Sequence, residues 1–102
     1  MVQVIVTGPA VADLTEILIE IGQEAGYRTS LKYRYRFESL FFIKLSEFPE
    51  TFQSRPSLGP HIRAGLVHPY IVVYRYDPTD RVVSILRILH SRRRITRKTL
   101  AV

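Results

Sequence analysis

The sequence predicts an α+β fold in which a helical hairpin packs on a mostly antiparallel sheet, in the order β-α-α-β-β-β. Three observations predict it. A β-branched run opens the chain at residues 2–7, two stretches with apolar residues at helical spacing follow, and two strand-like runs, YIVVYRY and RVVSILRILH, flank the turn Asp77-Pro78-Thr79-Asp80. With 102 residues, of which 46% are hydrophobic and 11% aromatic, the chain has material for one core, so a single domain over residues 1–102 is expected.

Val2, Gln3, Val4, Ile5, Val6 and Thr7 alternate as a strand does, and Gly8-Pro9 punctuates the passage into a helix whose first turn suits Pro9. Over residues 10–25, Leu14, Ile17, Leu18, Ile21 and Ala25 fall on one helical stripe and Asp13, Glu16, Glu20 and Glu24 on another, giving an acidic outer face. Gly26 ends that helix. Thr29 or Ser30 is expected to cap a second one, carrying Phe37, Leu40, Phe41, Leu45 and Phe48 and stopping before Pro49. Its start is basic, with Arg28, Lys32, Arg34 and Arg36, so two helices of opposite charge form the hairpin; exposed ion pairs add only about 0–1 kcal/mol each. Residues 50–60, with Pro56, Gly59 and Pro60, read as a loop crossing toward the sheet, and residues 61–67 as a weak strand interrupted by Gly65. The Asp-Pro opening of the last turn suits type I geometry.

If Tyr76 stands opposite Arg81, one face of the final hairpin holds Tyr70, Val72, Tyr74, Tyr76, Val83, Ile85, Arg87 and Leu89. The other then holds Ile71, Val73, Arg75, Val82, Ser84, Leu86, Ile88 and His90. Both faces are largely apolar, and two helices cover only one. The second is therefore expected to present an apolar patch to a tight protein partner. The alternative is that the segment after Arg94 folds back over it.

Charge is concentrated at one end. From Arg81 onward there are seven basic residues and no acidic one, against eight basic and nine acidic in the first 80 positions, and residues 92–102 form a basic tail. That end is suited to a negative partner. The absence of cysteine excludes disulfides and cysteine zinc sites and fits a reducing cytoplasm. His61, His68 and His90 make no helical i, i+4 pair, so neither a metal site nor a cofactor is expected. No apolar run reaches membrane-spanning length, and the opening residues do not read as a signal peptide.

The chain resembles the ParE/RelE superfamily of bacterial type II toxins over nearly its whole length. The resemblance lies in an opening strand, the helix beginning PAVADLTEILIEI, a second helix ending in Leu45-Ser46-Glu47-Phe48-Pro49-Glu50, and the strand Pro69-Tyr70-Ile71-Val72-Val73-Tyr74-Arg75-Tyr76. The closing Ile85-Leu86-Arg87-Ile88-Leu89-His90-Ser91 is its most specific piece, similar to the "ILRVLH" ending of ParE-like members. The resemblance implies a RelE/ParE-like fold and a toxin of a two-component addiction module. ParE-like members poison DNA gyrase and lack a recognised catalytic constellation; RelE-like members cleave ribosome-bound messenger RNA. RelE-type nucleases place an arginine early in the third strand, where this chain has Ile71, and a functional tyrosine after the last strand, where it has no aromatic residue beyond Tyr76. Exchanging a phosphate-binding cation for an aliphatic side chain removes the charge stabilisation that such chemistry relies on.

The ParE-like branch is therefore favoured, with a cognate antitoxin bearing an acidic C-terminal segment as partner, DNA gyrase as target, DNA met only through either of them, and a hetero-oligomer as the assembled form. The alternatives are a RelE-like ribosome-dependent endoribonuclease, with Arg75, Arg87 and His90 as its candidate catalytic groups, and a non-catalytic nucleic-acid-binding or inactive scaffold protein. Under strict alternation Arg87 and His90 point to opposite faces, which argues against one shared site unless a bulge re-aims one of them. Candidates for target or antitoxin contact are Tyr70, Arg75, Arg87, His90, Arg92, Arg93, Arg94 and Arg97, with Lys98 in the same cluster. The cluster reads equally as a solvated tail, and Arg87 as a residue paired with a helix carboxylate. Tyr70, Tyr74 and Tyr76, at period two, read as a base-stacking platform or as a core layer beneath the helices.

Overall fold

In the computed structural model, which describes residues 2–100, the β-branched opening forms β1 (Gln3–Val6), and the chain turns at Thr7 into α1 (Gly8–Ala25). Pro9 lies at the start of α1, where its missing N–H has no intrahelical partner to lose. Ala10, Ile17 and Ile21 are buried and Leu14 and Leu18 half-buried, whereas Ala25, in the last turn, is exposed.

The second helix, α2 (Tyr27–Ser39), starts directly after Gly26, whose φ of 93° favours glycine. Neither Thr29 nor Ser30 caps it. Gly26 makes the reversal without a side chain, leaving both hydroxyls free: Thr29 Oγ1 donates back to the Ala25 carbonyl, and Ser30 Oγ crosses to α1 to donate to the Leu18 carbonyl at 2.7 Å. The helix widens into a π turn at Leu40–Lys44 and closes as α3 (Leu45–Glu47) before Pro49. Phe37, Phe41 and Leu45 are buried, but Phe48 lies past the last helical residue and is exposed. The hairpin is held by apolar packing and the Ser30 bond. Among the described residues the salt bridges are Arg34–Glu38, Arg63–Glu50 and Arg87–Asp13, and none joins α1 to α2.

The sheet has five strands in the order β1-β5-β4-β3-β2, with β1 parallel to β5 and every other pair antiparallel. The segment expected to be a plain loop contains β2 (Gln53–Ser54) and a 3-10 turn (Pro56–Leu58). β2 adds to β3 (Ile62–Val67) because the Phe52 ring beds on Gly65: a Cβ there would stand 2.8 Å from the ring. The glycine that weakens β3 as an isolated strand is the place where its neighbour docks.

The hairpin of β4 (Tyr70–Asp77) and β5 (Val82–His90) departs from the expected register. Asp77 Oδ1 accepts the N–H groups of Thr79 and Asp80, Arg81 takes φ 57° within the turn, and Tyr76 pairs with Val83 instead of Arg81. This shift of two keeps each residue on its face as far as Tyr74–Ile85. There a bulge intervenes: Val73 pairs with Arg87, leaving Leu86 as the extra residue. Beyond it the β5 assignments exchange. Ile88 and His90 join Val72 and Tyr70, while Arg87 and Leu89 join Val73 and Ile71.

One core lies between sheet and helices, with Phe37, Phe41, Leu45, Val72, Tyr74, Val83, Ile85 and Ile88 among its buried members. A second lies on the opposite face, where Leu58, Ile62 and Val73 are buried and Ile71, Leu86, Ile95 and Leu100 pack on them. The bare second face expected from the sequence is thus covered. The 3-10 turn and the tail, with its one-turn helix α4 (Arg97–Leu100), lie over it, because Ile95 and Leu100 bring apolar surface inside the basic run. Among the described residues no helix is long and apolar enough to cross a membrane.

Tyr74 is fully buried and its hydroxyl donates to the Pro49 carbonyl at 2.8 Å, tying the end of the helical segment to the sheet. Burial pushes its phenol up to about 12. The folded state therefore holds this proton above pH 10, the ordinary tyrosine value, where the unfolded chain releases it. Urea denaturation should show the contribution of Tyr74 intact below pH 10 and stability falling from pH 10 toward 12 by up to about 1.4 kcal/mol per unit. Tyr74→Phe should cost about 1 kcal/mol at pH 8 and flatten that decline.

Candidate functional site

The candidate residues gather where β1 runs out beside β5. β1 ends at Val6 opposite Ile85, and Thr7 closes it by donating its N–H and Oγ1 to the Ile85 carbonyl at 3.1 and 2.7 Å. Past this point no strand among the described residues lies on the outer side of β5. Asp13, in the second turn of α1, takes the vacant place: its Oδ2 accepts the Ile88 N–H at 2.9 Å and Arg87 Nε at 2.7 Å, and its Oδ1 accepts Arg87 Nη2 at 3.0 Å. Arg87 Nη1 donates to the Thr99 carbonyl of α4 at 2.8 Å. The guanidinium thus starts on the tail face and reaches round the sheet edge to α1. Asp13 and Arg87 keep only 15% and 20% of their side-chain surface exposed, so removing either partner strands a partly buried charge and costs more than breaking a surface salt bridge. The hydrogen bonding that Arg87 donates to Asp13, opposed by partial burial, raises the Arg87 pKa above its already high ordinary value.

His90 lies on the other face, paired with Tyr70, its ring edge-on to that tyrosine at 5.7 Å. Its Nδ1 accepts the Arg92 N–H at 3.1 Å, which bends the chain out of β5. Tyr70 packs in turn on Tyr33 and Phe37, and burial first, then Tyr33, Glu20 and Glu24, raises its pKa. A cavity of about 250 Å³ opens here between α1 and the end of β5, lined by Asp13, Glu16, Glu20, Tyr70, His90 and Arg93 among others. The acidic stripe of α1 accordingly faces the basic end of the chain. The tyrosine ladder is a core layer: Tyr74 is wholly buried and Tyr70 and Tyr76 are half-buried against the same cluster, with Tyr70 also lining the cavity.

Arg75, Arg87 and His90 do not converge. Arg75 is exposed on the tail face opposite Ser84, five strand positions from the Tyr70–His90 pair, or about 17 Å along the sheet. Arg87 shares the face of Arg75, but its guanidinium is taken up at the outer edge, away from β4. Arg92, Arg93, Arg94, Arg97 and Lys98 are exposed, and among the described residues none is paired with a carboxylate. No group of histidine and carboxylate side chains among the described residues is placed to hold a metal ion.

Sequence reasoning missed two apolar grooves on the helical hairpin. One runs between α1 and α2 and exposes Val11, Ile19, Tyr27, Leu31 and Phe42. The other, about 550 Å³, lies between the end of the second helix and β3 and exposes Tyr35, Ile43, Phe48 and Leu66. Their signal was present as large apolar residues lying off the buried stripe of each helix.

The family described as the ParE toxin of type II toxin–antitoxin systems, parDE, matches residues 4–95. Toxin ParE3 of Caulobacter vibrioides is 36% identical over 92 residues, which are 90% of this chain and 89% of that protein. The chain belongs to the ParE toxin family. Solved structures agree on the fold. The chain is similar to one in the toxin–antitoxin complex RelBE2 from Mycobacterium tuberculosis, with a TM-score of 0.64, 23% identity and coverage of 87% of this chain and 96% of that one. It is also similar to one in the chromosomal ParDE system from P. aeruginosa, with a TM-score of 0.63, 24% identity and coverage of 88% and 96%. In this ParE toxin the closing ILRILH segment is the stretch that carries the bulge and the Asp13 contact. Asp13→Ala would leave Arg87 Nε and Nη2 and the Ile88 N–H without their acceptor and should cost about 2–3 kcal/mol in urea denaturation. Glu24→Ala, on the same stripe but exposed, should stay within about 0.5 kcal/mol of the parent.

Proposed function

We propose that the chain inhibits DNA gyrase as the toxin of a parDE-type module in the cytoplasm, and that a ParD-like antitoxin neutralises it in a hetero-oligomer. The family match over residues 4–95 carries this reading. Two features of the geometry support it. Arg75, Arg87 and His90 do not meet at one point, so a ribonuclease would lack the clustered cation and acid–base group that phosphodiester cleavage calls for. The exposed arginines of the tail, unpaired with any carboxylate among the described residues, offer a cationic surface suited to an acidic antitoxin segment or to gyrase and the DNA it holds. The hairpin grooves supply apolar surface for an antitoxin segment that folds on binding, a part the tail-covered sheet face does not play.

Purified toxin added to gyrase should stop supercoiling of relaxed plasmid, and co-expressed antitoxin should restore it. Intact supercoiling together with site-specific cuts in ribosome-bound message would replace this reading with the RelE-like one. Charge reversal at Arg92, Arg93 and Arg94 together should weaken gyrase inhibition by about tenfold or more, an effect of about 1.4 kcal/mol, with an unchanged thermal midpoint. Unchanged potency would make those three side chains a solvated surface.

A further inference from the structure

The tail is docked by very little. α4 is four residues long, far below the length at which a helix persists alone. Its apolar anchors are Ile95 and Leu100, both only half-buried, and its internal bonds join Thr96 and Thr99 to each other. Among the described residues, one hydrogen bond reaches residues 95–100 from the rest of the protein, the Arg87 Nη1 donation to the Thr99 carbonyl. That donor has a fixed direction. Asp13 engages Nε and Nη2 side by side, which sets the plane of the guanidinium and aims Nη1 at the tail. A lysine would present a point charge on a flexible stem and could not hold both partners in that geometry.

We propose that Asp13 and Arg87 are positioning residues that hold the basic tail in one pose, with Ile95 and Leu100 on the sheet and Arg97 and Lys98 turned outward. The use of that pose against the target rests on the function proposed above; the pose itself does not. The invariant of the arrangement is a rigid fork linking α1, β5 and α4 across the sheet edge. Loss of the fork frees the tail while the two cores, which it does not enter, remain packed.

The test uses the full chain and its Arg87→Lys variant, with Ile95→Ser as a second way of loosening the tail through its apolar anchor. Trypsin cleavage within residues 92–98 and amide exchange at residues 95–100 read the pose. Exchange in β4 and α1 reads the rest of the fold, and gyrase inhibition reads the use. Arg87→Lys should speed tail cleavage by about tenfold and strip protection from residues 95–100, with β4 and α1 losing far less, and Ile95→Ser should reproduce that profile. A tail as resistant as the parent's, or a loss of protection no greater in residues 95–100 than in β4 and α1, would overturn the proposal by making the pair an ordinary stabilising contact. A loosened tail with undiminished inhibition would uphold the positioning role and remove the tail from the target contact.

Discussion

The rest of the structure follows from a central hairpin that is apolar on both faces. Val72, Tyr74, Val83, Ile85 and Ile88 require cover on one side, and Val73, Ile71 and Leu86 on the other. Among the described residues the helical hairpin is the one large element outside the sheet, and it meets the first demand. The second falls to scattered pieces: Leu58 on a single 3-10 turn and Ile95 and Leu100 in the tail. The basic end of the protein is consequently structural and electrostatic at once. Its apolar residues complete a core, and its arginines stay in water because the same short segment cannot bury them without partners.

The bulge at Leu86 connects this demand to the candidate site. One extra residue turns Ile88 and His90 toward the helices and Arg87 toward the tail, and it does so just after β1 has ended. An exposed strand edge invites pairing with another chain, and here Asp13 occupies part of it. The acidic stripe of α1 therefore has two uses. Asp13 is consumed internally, while Glu16 and Glu20 remain beside His90 and Arg93, where an approaching partner meets both signs of charge within one cavity.

Much of the fold was legible because period 3.6 and period 2 survive in the parts that pack on the main core. The stripes of α1 and α2, the stop before Pro49 and the last hairpin all follow from local residues. What stayed hidden depends on contacts remote in sequence. No local mark distinguishes Leu86 as a bulged residue, and β2 exists only because Phe52 fits over a glycine thirteen positions later. The return of the tail over the second face stood as the alternative to a partner, but the residues that dock it, Ile95 and Leu100, lie in a run dominated by charge. At the site, a helix carboxylate for Arg87 was foreseen as a type of partner; the choice of Asp13 over Glu16, Glu20 or Glu24 required knowing where β1 ends. The exposed arginines were legible as charge alone.

Gly65 has a reach beyond its own strand. By admitting the Phe52 ring it lets the connector after α3 lie flat on the sheet, and this brings the Pro49 carbonyl within reach of the Tyr74 hydroxyl and lays the floor of the groove in which Leu66 and Phe48 are exposed. A single methyl group at that position would lift the connector like a pebble under a hinge, disturbing a buried phenol and reshaping an open apolar trough with one change that touches neither.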